Sequence, residues 1–246
     1  MIFKTIETQT DTGTWAADTT IQTDLLRNGP ITRIYATAEV TPSATLAGAN
    51  QPNSLFRVLS GIVIGAGGQT YFTLPTDDGG MGGVLLHYLN QWDGFGLGHT
   101  RGVITAPSRT YSPQTFVFHA GSRPKLPNGQ DNPYDLTAFI PGSKLGRLTA
   151  QWDTDGNDVL DDTVTITSAV FRYTVCQVLA SSEAELRAEM SAQGVMAAMQ
   201  PSWEGEVFAP TATATAYSSK RNISTGAFVK RISMALQAAP AARPVP

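Results

Sequence analysis

The sequence predicts an all-β fold, and three observations support this prediction. Most of the 246 residues fall into short runs rich in Val, Ile, Thr, Tyr and Phe, the residues that suit a pleated surface. Gly, Pro, Asn and Asp separate these runs, as they do in antiparallel sheets joined by turns. Only one segment, near the C-terminus, has the spacing and capping residues of a convincing helix, so strands and helices do not alternate as in a parallel sheet.

Composition and charge restrict the classes of function. Only 15% of the residues are charged and the formal net charge is −3, so the surface as a whole does not attract nucleic acid or anionic lipid. The single cysteine, Cys176, excludes an intrachain disulfide. The first 15 residues lack the apolar core of a signal peptide, and no run approaches 18 apolar residues. We therefore expect synthesis in the cytoplasm and no transmembrane segment.

The predicted strands begin after a polar N-terminal stretch. Residues 1–18 are rich in Thr, and we interpret them as an N-terminal arm or a short edge strand. The domain that follows, residues 19–180, contains runs that alternate between apolar and polar residues or are apolar throughout. In chain order the predicted strands are residues 19–26, 28–41, 54–65, 69–75, 114–120, 136–141, 145–152 and 163–179, with a brief strand piece at 103–105.

The segments between these strands are predicted loops, with one exception. Residues 84–92 are short and apolar, and the sequence leaves open whether they form a turn of helix or a strand. Glycine-rich loops flank them at residues 76–83 and 93–102. Residues 121–133 contain three prolines and an Asn-Gly pair, which predict a long exposed loop.

Residues 181–200 form the predicted helix. Ser182 and Glu185 have the spacing of a capping box, in which the two side chains accept hydrogen bonds from N–H groups that the first turn leaves free. Leu186 and Met190 lie one helical turn apart and predict an apolar face that packs against the rest of the domain.

Residues 201–246 are a predicted C-terminal extension with one or two strands and a flexible tail. The segment 226–237 resembles the strand at 28–41, because in each a Gly precedes an Arg-Ile pair and a strand-like run. A complete second β-domain would need about 100 residues, which the extension does not have. The predicted organisation is therefore an arm (1–18), a jelly-roll domain (19–180), a helix (181–200) and an extension (201–246).

Residues 65–68, Gly-Ala-Gly-Gly, imitate the glycine-rich turn of a dinucleotide-binding fold. That site requires a helix directly after the glycines, so that the helix N-terminus meets the pyrophosphate. Residues 69–75 predict a strand instead. We therefore interpret the glycines as the turn of a hairpin between two buried strands.

The sequence shows no catalytic constellation. His87, His99 and His119 are the only histidines, and none has the i,i+2 or i,i+4 spacing of a metal-binding pair. A Gly-x-Ser-x-Gly motif is missing, and Cys176 lies within a predicted strand, where an inert buried thiol is expected. We therefore do not expect an enzyme. A jelly-roll glycosidase stays an alternative, because carboxylate pairs cannot be identified from sequence.

Acidic and amide side chains at residues 153–162 suggest one cation site. Asp153, Asp155 and Asn157 match the first three ligand positions of a calcium loop, but the glycine and the final glutamate of an EF-hand are missing. A looser Ca²⁺ site formed by Asp153, Asp155, Asn157 and Asp161 is the only cofactor that the sequence suggests. A solvated hairpin turn is the alternative.

The predicted strands, divided into two sheets of four with long loops, correspond to a jelly roll, a β-sandwich or barrel of about eight strands. The order of motifs resembles the vertical jelly-roll major capsid proteins of tailless icosahedral viruses with an internal membrane, in their single jelly-roll form. The motifs that carry this resemblance are Leu25-Leu26 before Gly29-Pro30-Ile31-Thr32-Arg33-Ile34, the apolar strand and glycine turn at 55–68, the Phe-Val-Phe strand at 116–118, and Ile140-Pro141-Gly142 before the strand that ends at Trp152. The resemblance covers residues 19–179.

The resemblance implies a structural function in a virion. Subunits would stand upright in an icosahedral shell, join as homo-oligomers, contact an internal lipid membrane and combine with a second capsid protein. Synthesis would occur in the host cytoplasm, and no sequence-specific nucleic acid partner is implied. The alternative is a virion spike or a carbohydrate-binding jelly-roll module, in which Tyr71, Trp92 and Phe95 stack on sugar rings.

Overall fold

Two antiparallel β-sheets dominate the computed structural model of this chain. The structure describes residues 2–11, 16, 19–42, 59–74, 81–95, 114–154 and 166–195, which all lie in the first of the two units into which the chain divides, residues 1–205. Within these ranges the strands are β1 (Ile2–Asp11), β2 (Thr20–Asp24), β3 (Pro30–Pro42), β4 (Leu59–Ala66), β5 (Gln69–Leu74), β6 (Gln114–His119), β7 (Ile140–Pro141), β8 (Thr149–Thr154) and β9 (Ile166–Ala180). The helices are α1 (Met81–Trp92) and α2 (Glu183–Ala192), and a 3-10 turn spans Gly142–Lys144.

The chain alternates between the two sheets. Sheet one has the strand order β1-β9-β3-β6, and the two residues of β7 pair with the start of β3. Sheet two has the order β2-β8-β4-β5. Among the described strands, only β4 and β5 are neighbours both in the chain and in a sheet. Eight strands that cross between two facing sheets in this way form a jelly roll, so the predicted fold class is confirmed.

The hydrophobic core lies between the two sheets. Burial alternates along β8, so that Ala150, Trp152 and Thr154 face inward. Trp152 is fully buried, and its ring centroid lies 4.8 Å from that of Phe171 in sheet one and 5.7 Å from that of Phe116. Because large rings fill the space between the layers, the contact between the sheets depends on this aromatic group.

The glycines at residues 65–68 form a hairpin turn, as predicted. Gly67 and Gly68 have φ values of 55° and 86°, and they separate the paired strands β4 and β5. Two consecutive residues with positive φ are the requirement of a type I′ hairpin turn, and glycine meets it without steric cost. A strand follows the glycines, so the dinucleotide site remains excluded.

The N-terminal residues differ from the predicted arm. Residues Ile2–Asp11 form a ten-residue strand, β1, which pairs with β9 from Ile2 opposite Ala180 to Asp11 opposite Phe171. For residues 2–11, the interpretation of 1–18 as an arm is thus wrong. The alternative, a short edge strand, gives the correct type of element, but the observed strand is longer than a short one. Pairing with a distant strand decides the outcome, because a Thr-rich run has no local partner.

The segment at residues 84–92, which the sequence left open, is part of a helix. Helix α1 spans twelve residues, Met81–Trp92, so the described chain has two α-helices where the fold prediction had one. Leu86 and Asn90 lie one turn apart and are fully buried, and His87 beside them is nearly so. Two glycines at the start lower helix propensity, so tertiary packing of this inner face, and not local preference, stabilises the helix.

The predicted C-terminal helix is present as α2, but it ends at Ala192, because Gln193 is its C-cap and Gly194 has a positive φ of 75°. Its N-cap is Ser182, whose Oγ accepts a hydrogen bond from the Glu185 N–H at 3.2 Å. The Glu185 carboxylate accepts from the N–H of Ser181 at 3.0 Å, one residue before the position that a capping box uses. Met190 and Leu186 pack against Val178 of β9, so α2 covers part of the outer face of sheet one.

Several predictions lie outside the described residues. These are the strand piece at 103–105, the last residues of the predicted helix segment, 196–200, and the whole extension at 201–246 with its strand-like segment 226–237.

Trp152 provides a test of the core. We expect Trp152→Ala to lower the free energy of unfolding by about 3–5 kcal/mol, because the truncation removes a large buried ring and leaves a cavity between the sheets. Trp92→Ala is the matched control, since the Trp92 side chain is 83% exposed. The control should change the free energy by no more than about 0.5 kcal/mol. Urea unfolding of both variants measures the difference, and equal effects would contradict the proposed core.

Candidate assembly surfaces

A side chain from α1 forms hydrogen bonds with the backbone of β6, which is an edge strand among the described strands of sheet one. The Asn90 amide donates a hydrogen bond from Nδ2 to the carbonyl oxygen of Val117 at 2.7 Å, and its Oδ1 accepts from the Val117 N–H at 2.8 Å. The amide therefore takes the position that a peptide group of another strand would occupy. Edge strands present unpaired N–H and C=O groups that other chains can pair with. At Val117 this edge is not available for strand addition.

A bulge in β3 directs side chains to the outer face of sheet one. The pairing of β3 with β9 shifts between Ile31 and Arg33, so that Thr32 is an extra residue. On one side of the bulge Ile31 faces the core, and on the other side Ile34 does so. Bulges commonly re-aim side chains in this way. The consequence is that Arg33 lies on the outer face.

The segment after β6, residues 120–139, crosses this outer face as an ordered connection. Thr32 Oγ1 donates to the carbonyl oxygen of Pro133 at 2.5 Å. The buried Asp135 carboxylate accepts from the N–H and the hydroxyl of Thr137, at 3.0 and 2.5 Å, and from the N–H of Arg123. The prediction of an exposed loop at 121–133 holds for residues 122–123 and 126–131 but not for Gly121, which is buried. The predicted strand at 136–141 is reduced to the two residues of β7.

Arg33 is the centre of a buried polar cluster under this segment. Its side chain is 2% exposed, and its guanidinium donates to the Tyr35 hydroxyl at 2.8 Å and to the carbonyl oxygen of Pro124 at 3.2 Å. The guanidinium also lies 4.6 Å from the ring centroid of Phe95, and Lys125 Nζ lies 5.2 Å from the same centroid. Both cations share the carboxylate of Asp131. Such a buried cation needs these partners, because an unpaired charge in the interior is costly.

A second pair ties the end of α1 to the same cluster. Asp93 directly follows the helix, and its carboxylate oxygen Oδ2 lies 2.8 Å from Nε2 of His119 in β6. The ring centroids of Phe95 and His119 are 5.4 Å apart. The His119 ring is buried, and its second nitrogen, Nδ1, lies 3.2 Å from the carbonyl oxygen of Gly121. The cluster therefore joins the end of α1, β3, β6 and the segment 120–139 through buried polar contacts.

Cys176 is buried on the outer side of β9, as the inert thiol that the sequence predicts. Burial raises the pKa of the Cys176 thiol, and the nearby Arg33 guanidinium opposes that rise. Burial likewise raises the pKa of the Tyr35 phenol, against the hydrogen bond from Arg33. Both groups are therefore neutral at pH 7, and the thiol lacks the thiolate character that a nucleophile needs.

The predicted calcium ligands are only partly described. Asp153 lies in β8, and its Oδ1 accepts a hydrogen bond from Thr20 Oγ1 of β2 at 2.7 Å. Asp155, Asn157 and Asp161 lie outside the described residues. In the described ranges, no group of three or more His, Cys, Asp or Glu side chains is placed to hold a metal ion. The calcium site of Asp153, Asp155, Asn157 and Asp161 stays a prediction.

The prediction of sugar-stacking residues is wrong for two of its three members. Tyr71 is fully buried between the sheets, and Phe95 is covered by Arg33 and Lys125. Only Trp92 is exposed. The sequence identifies the aromatic residues of each segment, but it does not show whether each side chain faces the core or the solvent.

In the part of the chain that the structure describes, no helix is both long enough and apolar enough to cross a bilayer.

Comparison with solved structures places this architecture among viral capsid folds. The crystal structure of the major capsid protein of Sulfolobus turreted icosahedral virus and an atomic structure of that virus each match 78% of this chain, with a TM-score of 0.53 and 17% identity. The match covers 54% of one solved chain and 51% of the other, so this chain spans about half their length. The major capsid protein of bacteriophage PM2 matches 72% of this chain and 52% of its own, with 12% identity and a TM-score of 0.40.

At this identity, the match to the archaeal-virus protein establishes a shared fold. No protein-family model and no curated protein sequence matches this chain. The jelly roll predicted from the sequence and the jelly roll of the solved capsid protein are therefore the same architecture, reached with little common sequence.

Asn90 provides a test of the closed edge. In an Asn90→Ala variant the buried N–H and carbonyl of Val117 lose their partner, and each unsatisfied group costs about 1–3 kcal/mol. We expect a loss of roughly 2–4 kcal/mol in the free energy of unfolding and faster hydrogen exchange at the Val117 amide. Asn128→Ala is the control, because Asn128 is an exposed amide with only local hydrogen bonds to Gln130. Unchanged exchange at Val117 would contradict the assignment.

The buried thiol predicts a dependence of stability on alkaline pH. Because the pKa of Cys176 is raised in the folded protein, the stability due to the neutral thiol is fully present below its ordinary pKa of about 8.5. It is lost as the pH rises through the folded pKa. Urea unfolding at neutral pH and near pH 10 should therefore show a smaller loss for Cys176→Ala than for the wild type. Tyr35 is present in both proteins, and its pKa is raised chiefly by burial, which the substitution leaves in place. Equal losses would show that the thiol does not titrate as expected.

Proposed function

We propose that this chain is a major capsid protein, a structural subunit of the shell of an icosahedral virus. The observation that carries the proposal is the eight-strand jelly roll, with the strand orders β1-β9-β3-β6 and β2-β8-β4-β5, whose fold matches that of the Sulfolobus turreted icosahedral virus capsid protein with a TM-score of 0.53. A shared fold does not by itself assign a function. The surface properties described next support the inference from this fold to a capsid function.

Several surface properties suit a subunit of a closed shell. The chain has a charged fraction of 15%, well below the usual quarter, so neighbouring subunits can cover its surface without burying many charges. Asn90 closes the β6 edge at Val117, which limits uncontrolled pairing of sheets in a concentrated array. The segment 120–139 is held by buried hydrogen bonds, so the sides of the sandwich present defined shapes.

The proposed mechanism is assembly without chemical turnover. Upright jelly rolls associate through their sides into homo-oligomers, and many weak contacts of standard size combine into a stable shell. A second capsid protein and a contact between one end of the domain and an internal membrane are further parts of this proposal. They rest on the resemblance to internal-membrane viruses, as does a location in the virion after synthesis in the host cytoplasm.

Concentrating the purified chain tests the proposal. We expect negative-stain microscopy to show rings, flat arrays or shells, and light scattering to show that their mass increases with protein concentration. Trp152→Ala, whose core is disrupted, is a control for non-specific aggregates, which would form without regular spacing. If the wild-type chain forms only isolated monomers or trimers at every concentration and salt condition, and these bind glycans, the capsid proposal is wrong and the spike alternative replaces it.

A further inference from the structure

The chain contains two Asn-Gly pairs, Asn28-Gly29 and Asn128-Gly129. The peptide nitrogen that follows an asparagine can attack the side-chain carbonyl carbon, Cγ, and close a five-membered succinimide ring. Glycine in the following position favours this reaction, because it has no Cβ to obstruct the approach of its nitrogen. The two pairs have the same residues, so a difference between their reactivities in the folded protein depends on the structure around them.

The first pair lies in a closed environment. Gly29 is buried, and its N–H donates a hydrogen bond to Gln177 Oε1 at 2.9 Å. A Cβ placed on Gly29 would lie 2.8 Å from the carbonyl oxygen of Val178 and 2.6 Å from a methyl carbon of Leu179, so the backbone has little room to turn. Attack by the Gly29 nitrogen therefore requires the loss of a buried hydrogen bond and movement against β9, and both are costly.

The second pair lies in an open environment. Residues 126–130 are all exposed. Among the described residues other than its two neighbours in the chain, none has an atom within 4 Å of a Cβ placed on Gly129. The Gly129 N–H donates to the carbonyl oxygen of Leu126 at 2.8 Å, but this hydrogen bond lies in an exposed turn, where water can replace the acceptor when the turn opens. The Gly129 nitrogen therefore gains access to Asn128 at a low cost in free energy.

A backbone donor also polarises the side-chain carbonyl of Asn128. The N–H of Gln130 donates to Asn128 Oδ1 at 3.1 Å, and Asn128 Nδ2 donates to Gln130 Oε1 at 3.0 Å. Negative charge develops on Oδ1 when a nucleophile attacks Cγ, and a donor already directed at that oxygen stabilises this charge. The turn thus combines an accessible nucleophile with a polarised carbonyl carbon.

We propose that Asn128 is a site of spontaneous covalent modification, whereas the fold protects Asn28. The Gly129 nitrogen loses its proton to solvent and forms a bond to Cγ of Asn128, and the bond between Cγ and Nδ2 breaks. The side-chain nitrogen takes a proton from water and leaves as ammonia. A second water molecule then opens the succinimide at either of its two carbonyls, which produces aspartate or isoaspartate at position 128. The inference does not depend on the proposed capsid function.

The modification changes the charge and the shape of the turn. It adds one negative charge to a chain whose formal net charge is −3, and the new carboxylate no longer donates a hydrogen bond to Gln130. Isoaspartate also inserts a methylene group into the backbone before Gly129, which displaces the N–H of that residue from its acceptor. The base of the turn is retained, because the N–H of Asn132 donates to the carbonyl oxygen of Pro124 at 2.9 Å. The change is therefore confined to the exposed end of the segment 120–139.

Peptide mass spectrometry of the intact, folded chain tests the inference. After incubation in mildly alkaline buffer, trypsin releases residues 28–33 and 126–144, which contain one Asn-Gly pair each. Digestion in water enriched in heavy oxygen marks any conversion that occurs during the digestion itself. Loss of the amide increases the mass of a peptide by about 1 Da. We expect this increase to appear at Asn128 at least about tenfold faster than at Asn28, because the buried pair must first open locally.

The chain offers two controls for the chemistry. Asn132 lies in the same tryptic peptide as Asn128, but Pro133 follows it, and a proline nitrogen has no proton to lose and cannot close the ring. Fragment spectra that locate the mass increase at Asn128 and not at Asn132 support the proposed reaction. Asn128→Gln is the matched variant, because it keeps an amide but requires a larger ring. We expect it to abolish the mass increase in this peptide.

Unfolding in guanidinium chloride separates the effect of the fold from that of the sequence. In the unfolded chain the two pairs should convert at rates that agree within about threefold, because the buried contacts of the first pair are lost. Equal rates at Asn28 and Asn128 in the folded chain would overturn the inference. It would also be overturned if Asn128 stayed intact in the folded chain while the unfolded chain converted. Neither result bears on the capsid proposal.

Discussion

The pairing of β9 with both β1 and β3 is the constraint on which most of the structure depends. β9 lies between these strands in sheet one, and its side chains serve both faces of the sheet. Phe171 and Tyr173 face the core beside Trp152, while Val178 on the outer face contacts α2. The Gln177 side chain accepts a hydrogen bond from the buried Gly29 N–H at 2.9 Å, which fixes the turn that leads into β3. A one-residue slip of β9 would exchange these faces and remove all of these contacts.

The edges of the two sheets carry backbone groups that further strands could pair with. Among the described strands, the edge strands are β1 and β6 in sheet one and β2 and β5 in sheet two. The structure satisfies the β6 edge at Val117 with the Asn90 amide, which also fixes the position of α1. The same contact thus blocks the addition of a strand at Val117, which an open edge would allow.

The cluster around Arg33 shows how the outer face of sheet one is organised. The bulge at Thr32 changes the side-chain alternation in β3, so that Ile31 and Ile34 both reach the core and Arg33 lies beneath the segment 120–139. Arg33 and Lys125 contact the Phe95 ring and share Asp131. Ion pairs of this kind add little net stability, but they fix the loop in one arrangement. The defined shape of this side follows from that arrangement.

The sequence by itself determined most of the strands, the hairpin glycines, the start of helix α2 and the general jelly-roll plan. These depend on the alternation of apolar and polar residues, on glycines that accept a positive φ, and on a capping side chain close to its backbone partner. Only the tertiary structure decided that Ile2–Asp11 is a sheet strand, that α1 is a helix and that Tyr71 and Phe95 are buried. Each of these depends on contacts with residues far along the chain. A Thr-rich run becomes a strand because β9 lies beside it, and a glycine-containing apolar run becomes a helix because Leu86 and Asn90 have a core and an edge to bind.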